Sequence, residues 1–74
     1  MHENGIIYLN GKKYFVEQIN KVIFVNGVIA KEWYKKLDLL SKADLLTYGF
    51  SIAMGCNKEE SQKIIDEKYK TRNN

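Results

Sequence analysis

The sequence predicts an α+β domain: a small antiparallel β-meander of three or four strands, followed by two or three α-helices. Three observations carry this. The first third is dense in β-branched and aromatic residues. It is punctuated by two Asn-Gly pairs, Asn10-Gly11 and Asn26-Gly27. From Lys31 onward the apolar residues fall at helical spacing.

Ile6 to Leu9 form the first apolar run, and Asn10-Gly11 follows it. Asn-Gly suits the two-residue type I′ hairpin turn, in which both central residues need positive φ. Lys12 to Gln18 then return as a second strand. A looser turn around Ile19-Asn20 leads to a third, Lys21 to Val25. The second Asn-Gly pair leads to a short fourth strand, Val28 to Ala30. The stretch Ile7-Tyr8-Leu9-Asn10-Gly11 is echoed by Ile23-Phe24-Val25-Asn26-Gly27, which reads as two hairpins built on the same turn chemistry.

Trp33, Leu37 and Leu40, spaced i, i+4, i+7, mark one face of a first helix. Ser41, with Asp44 three residues on, reads as a fresh N-cap for a helix over residues 42–54. Leu45, Tyr48, Gly49 and Ile52 lie along one side of it, with Leu46, Phe50 and Ala53 extending its apolar surface. Gly55 suits a helix C-terminus, and Asn57 with Glu60 reads as the capping box of a last, mostly polar helix carrying Ile64, Ile65 and Tyr69. The expected core is Ile7, Leu9, Val16, Phe24, Trp33, Leu37, Leu45, Ile52 and Ile64, with the strand faces open by one register. Residues 1–74 read as one domain, with 1–4 and 71–74 fraying.

At 74 residues, 45% hydrophobic and 28% charged, the chain has the makeup of one small globular domain. No run approaches the ~18 apolar residues of a membrane span. Met1-His2-Glu3-Asn4-Gly5 lacks the basic and apolar regions of a secretory signal. With Cys56 as the lone cysteine, these features predict a cytoplasmic protein.

The residues argue against an enzyme. A nucleophile needs a base and an orienting group, and the single histidine is His2, near the terminus. Cys56 has no partner base and reads as packed or tolerated. The paired carboxylates Glu59-Glu60 and Asp66-Glu67 sit on a polar helix and read as a solvated face. The glycines match neither the dinucleotide-binding nor the phosphate-loop spacing, and no Cys or His pair has zinc spacing. No metal and no cofactor are expected.

Two binding readings and a structural one remain. Ile6-Ile7-Tyr8-Leu9 and Val22-Ile23-Phe24-Val25 are apolar on both faces, whereas a half-exposed strand alternates. Either the helices clasp both faces, or the second face is an interface for a copy of the chain or for a partner. The first reading is a protein-binding module, an inhibitor or regulator docking on a larger protein, of a kind suited to a phage or mobile element that disables a host system. Its contact candidates are Trp33, Tyr34, Lys35 and Lys36, with Tyr34 favoured because Trp33 also suits a core anchor; strand addition at a sheet edge is a further mode. The second is a nucleic-acid binder using Lys12 and Lys13 on a β-ribbon, with Tyr8 and Tyr14 for stacking and Lys35, Lys36, Lys42 and the tail lysines for phosphates. The net charge of +3 permits this without arguing for it. Residues 41–67 have the outline of a helix-turn-helix. The acids Glu59 and Glu60 at the start of its second helix favour an ordinary αα-hairpin. The third reading is a subunit of a structural homo-oligomer, such as a homodimer, with the second sheet face buried against a copy of itself.

Overall fold

The computed structural model describes residues 5–73. Within them the chain forms four strands, β1 (Gly5–Leu9), β2 (Lys12–Ile19), β3 (Val22–Val25) and β4 (Val28–Ile29), then three helices, α1 (Ala30–Lys35), α2 (Leu39–Ala53) and α3 (Lys58–Arg72). The strands make one antiparallel sheet in the order β1-β2-β3-β4, so the expected α+β meander is present. His2, the expected fraying of residues 1–4 and Asn74 lie outside the described residues.

Both Asn-Gly pairs adopt positive φ at both positions: 52° and 77° at Asn10-Gly11, 52° and 79° at Asn26-Gly27. That twist matches the flanking strands and closes two-residue hairpins. The link between β2 and β3 is not looser. It is a third such turn, at Asn20 (φ 49°) and Lys21 (φ 69°), so Lys21 belongs to the turn rather than to the strand. Lys21 carries the steric strain that glycine avoids in the other two.

The register pairs Ile7 with Tyr14, Gly5 with Val16, and Val16 with Val25. Ile7, Leu9, Tyr14, Val16 and Val25 therefore share the inner face. Phe24, expected in the core, pairs with Glu17 and Ile29 on the outer face. One residue of phase decides this, because both phases of the strand are apolar. The buried cluster is Ile7, Leu9, Leu37 and Ile65, with Tyr14, Val16, Trp33, Leu45 and Tyr48 packed against it. The Tyr14 and Trp33 rings meet edge to face with centroids 5.3 Å apart, a favoured aromatic geometry.

The helix ends correct two further expectations. Asp38, not Ser41, caps α2: its backbone is extended, and its carboxylate accepts the Ser41 N–H (3.0 Å) and the Ser41 hydroxyl (2.8 Å). The chain thus breaks at Leu37–Asp38, and Leu40 belongs to α2 rather than to the helix bearing Trp33. At the other end the Gly55 N–H (φ 103°) donates to Ile52 C=O and the Cys56 N–H to Ser51 C=O, the two bonds of a Schellman motif. The Asn57–Glu60 capping box forms as expected, at 2.8 and 3.0 Å. It fixes the phase of α3 so that Ser61 and Ile65, four residues apart, face inward. Ile64 and Ile52, both expected in the core, are left exposed.

The first hairpin turn is where the layers are joined. Asp44, buried on α2, accepts the Asn10 N–H at 2.7 Å and Arg72 Nη2 at 2.7 and 2.9 Å. Arg72 Nη1 also donates to Asn10 Oδ1 at 3.0 Å. The Tyr69 ring lies so close to Gly11 that a methyl there would come within 2.5 Å of it. These ties extend α3 to Arg72, into the stretch expected to fray. Beside them, Lys12 bridges to Asp38 at 3.2 Å. The Ser41 hydroxyl and N–H, and then Lys12, hold the Asp38 carboxyl well below the ordinary range, against an opposing push from burial.

The helices cover one side of the sheet. α2 and α3 pack over β1, while α1 sits on β3 and β4. Between them runs a cleft of about 580 Å³ floored by Val16, Ile23 and Val25. α3 also seals the β1 edge: the Gln62 side chain accepts the Tyr8 N–H (2.9 Å) and donates to Tyr8 C=O (2.8 Å). A further bond from Gln62 to Asp66, 2.8 Å, aims the amide.

Four outcomes are expected of this arrangement. Replacing Lys21 by Gly relieves the turn strain and raises stability by about 0.5–1 kcal/mol. Gly11→Ala costs more than Gly27→Ala, because only Gly11 has a ring against it; urea melts of the three variants rank them. Asp44→Ala leaves Arg72 and the Asn10 N–H without their buried acceptor and costs about 3–5 kcal/mol, read as loss of a cooperative thermal transition at 37 °C. For Asp38, the lowered folded pKa means its contribution is complete above about pH 4, where the unfolded carboxyl is ionised. That contribution is lost as acid titrates toward the folded value. Asp38→Asn keeps the cap acceptor, so its stability falls less steeply than the parent's between pH 4 and 2 in chemical denaturation.

Candidate functional site

The outer sheet face is the surface the fold leaves without a partner layer. The register places Ile6, Tyr8, Phe15, Phe24 and Ile29 on it, together with Ile19 and Val22, which pair across the third turn. Ile6, Tyr8, Phe15, Ile19, Val22 and Ile29 are each between 39% and 52% exposed. Cross-strand contacts such as Ile6 with Phe15 and Phe24 with Ile29 make the face continuous. Its charges are Lys13, opposite Tyr8, and Glu17, opposite Phe24. The face is therefore largely apolar and nearly neutral, with Glu17 set between Phe15 and Ile19 on β2.

A second apolar surface lies on α2. Ser41, Asp44, Tyr48 and Ser51 turn inward, and Leu39, Ala43, Leu46, Phe50, Ala53 and Met54 turn away from the core. Leu39, Leu46, Phe50 and Met54 are all at least two-thirds exposed. The outward side of the helix is apolar and, among the described residues, left exposed.

The residues singled out from the sequence separate into three places. Tyr8 and Lys13 lie on the outer sheet face. Tyr14 and Trp33 are in the inner layer, in contact with each other, so Tyr14 is not presented for stacking; Trp33 takes its anchoring role. Trp33 Nε1 is buried with no hydrogen-bond partner among the described residues. Tyr34, Lys35 and Lys36 are exposed at the end of α1, where Lys42 lies 5.1 Å over the Tyr34 ring and Lys35 pairs with Glu32 at 3.5 Å. Lys12 is engaged by Asp38. The lysines proposed for phosphates thus do not form one patch, and two of them hold carboxylates.

Strand addition also loses its simplest form. β1 carries Gln62 on its free edge and the other edge strand, β4, is two residues long. Among the described residues no three His, Cys, Asp or Glu side chains lie together as metal ligands. The described helices include none long and apolar enough to cross a membrane. Burial pushes the Tyr48 hydroxyl above its ordinary value. It belongs to the inner layer, and neither outer surface includes it. Phe15, Phe24 and Ile29 were not among the contact candidates; of these, Phe24 was signalled by the doubled apolar run Val22-Ile23-Phe24-Val25.

No family model, curated protein or solved structure matches the chain.

Proposed function

We propose that the chain is a non-catalytic protein-binding module that docks on a larger protein through the outer face of its sheet, as an inhibitor or regulator acting in a reducing cytoplasm. One observation carries this reading: a four-stranded sheet whose own helices cover one face and leave an apolar, aromatic-bearing surface on the other. Contiguous exposed apolar surface of this kind marks interaction sites. Aromatic residues concentrate where interfaces bind most strongly, and here Tyr8, Phe15 and Phe24 all stand on this face. Lys13 and Glu17 add one charge of each sign among them, which suits a mixed-charge protein surface better than a polyanion.

The reading is tested by capture from a native-host lysate with nuclease present, using the tagged parent and Phe15→Glu. Phe15 points away from the core, so the variant keeps the parent's circular dichroism. The expected result is a stoichiometric protein band for the parent that Phe15→Glu loses. A band that persists in the variant, or that nuclease removes from the parent, overturns the reading.

A further inference from the structure

We infer that the outward face of α2 is a two-fold interface on which a second copy of this chain lies antiparallel, helix against helix. Leu39, Ala43, Leu46, Phe50 and Ala53 are spaced four, three, four and three residues apart. That alternation is the seam of a helix pair that meets side by side at a shallow angle. The seam is long enough, since fifteen residues of α2 extend about 22 Å.

The order of large and small residues along the seam selects the occupant and its direction. A two-fold axis between Leu46 and Thr47 sets Phe50 of each copy against Ala43 of the other, and Leu39 against Met54. Leu46 meets its own equivalent at the centre. Phe50 and Leu39 then each face a small or flexible side chain, the condition for interdigitation, and Leu46 packs on its equivalent. A parallel pair would instead set Phe50 on Phe50 and Lys42 on Lys42.

Charge agrees with the antiparallel arrangement. α2 carries two charged residues, and one of them, Asp44, is turned inward and paired. The other, Lys42, falls opposite Ser51 of the second copy, so the two ammonium groups stand roughly 14 Å apart along the axis. Antiparallel helices also align their dipoles favourably. The exposed seam amounts to on the order of 500 Å² of apolar surface per copy, most of the roughly 800 Å² each partner gives a standard interface. Lys42 and Thr47 flank the seam. The outer sheet face lies on the other side of the molecule, so a dimer formed this way presents two sheet faces outward.

Light scattering after size exclusion, from about 1 to 500 µM, tests the inference on the parent, Phe50→Glu, Leu46→Glu and Phe15→Glu. The expected outcome is twice the chain mass at the upper concentrations, a weakening of roughly a hundredfold or more in each α2 variant, and no change in Phe15→Glu. Both α2 positions are exposed, so circular dichroism matching the parent's verifies the fold. A monomer at every concentration overturns the inference, as does a dimer that survives Phe50→Glu and Leu46→Glu. Direction is read by disulfide trapping in a Cys56→Ser background. Leu46→Cys links to itself across the axis, whereas Leu39→Cys does so only when Met54→Cys chains are mixed in, giving the mixed pair. Self-linkage of Leu39→Cys as fast as that of Leu46→Cys overturns the antiparallel pairing. Loss of partner capture by Phe15→Glu and loss of dimer by Phe50→Glu are separate results, so either proposal can fail without the other.

Discussion

The carboxylate of Asp44 is the point on which the two layers of this molecule are registered. It projects from α2 and binds a backbone amide of the first hairpin turn and the guanidinium near the end of α3. Elements distant in the chain are thereby held in one geometry by directional bonds. The need for this is visible in the size of the core. Among the described residues the buried apolar side chains are Ile7, Leu9, Val25, Leu37 and Ile65. So small a cluster favours compactness without dictating how a helix sits along a strand. A buried ion pair tied to a backbone group discriminates among such placements even where its net stabilisation is small. The same turn recruits Tyr69 against Gly11 and lies beside the Lys12–Asp38 bridge.

With the helical layer anchored over β1, it cannot also wrap the sheet. α1 reaches β3 and β4, the cleft opens between it and α2, and the far face of the sheet remains bare. The apolar outer side of α2 has the same origin: one side of the helix is committed to the sheet and to α3. Among the described residues no other element lies over the other side. The sheet is therefore apolar on both faces and α2 carries an apolar outward side, so the molecule offers two apolar surfaces that face away from each other.

Local chemistry was legible in the sequence. The Asn-Gly turns, the Asn57–Glu60 box and Gly55 each act within a few residues, and each appears as read. The doubled apolar runs of the strands also showed that one helical layer would leave a face to account for. What escaped was set by competition or by distance. Lys21 disfavours positive φ, so its turn was hidden until the register on both sides demanded it. Asp38 and Ser41 are both good caps, and the choice fell to Asp38, whose carboxylate also receives Lys12. Val25 and Phe24 are equally apolar, so nothing local identified the inward one. The bond from Asp44 to Arg72 spans the helical half of the chain and has no local signal. Of the contact candidates, Tyr8 and Lys13 reached the outer face, while Trp33 and Tyr14 found each other. Leu46 and Phe50 were seen as apolar but not as outward, because their direction depends on where α2 begins.

The seal on the β1 edge comes from Gln62, near the far end of the chain from β1. On the ribosome the sheet residues are synthesised before α3, at about 5–20 residues per second. Until α3 docks, β1 has an open backbone edge and the sheet has apolar side chains on both faces, a template for pairing with other chains.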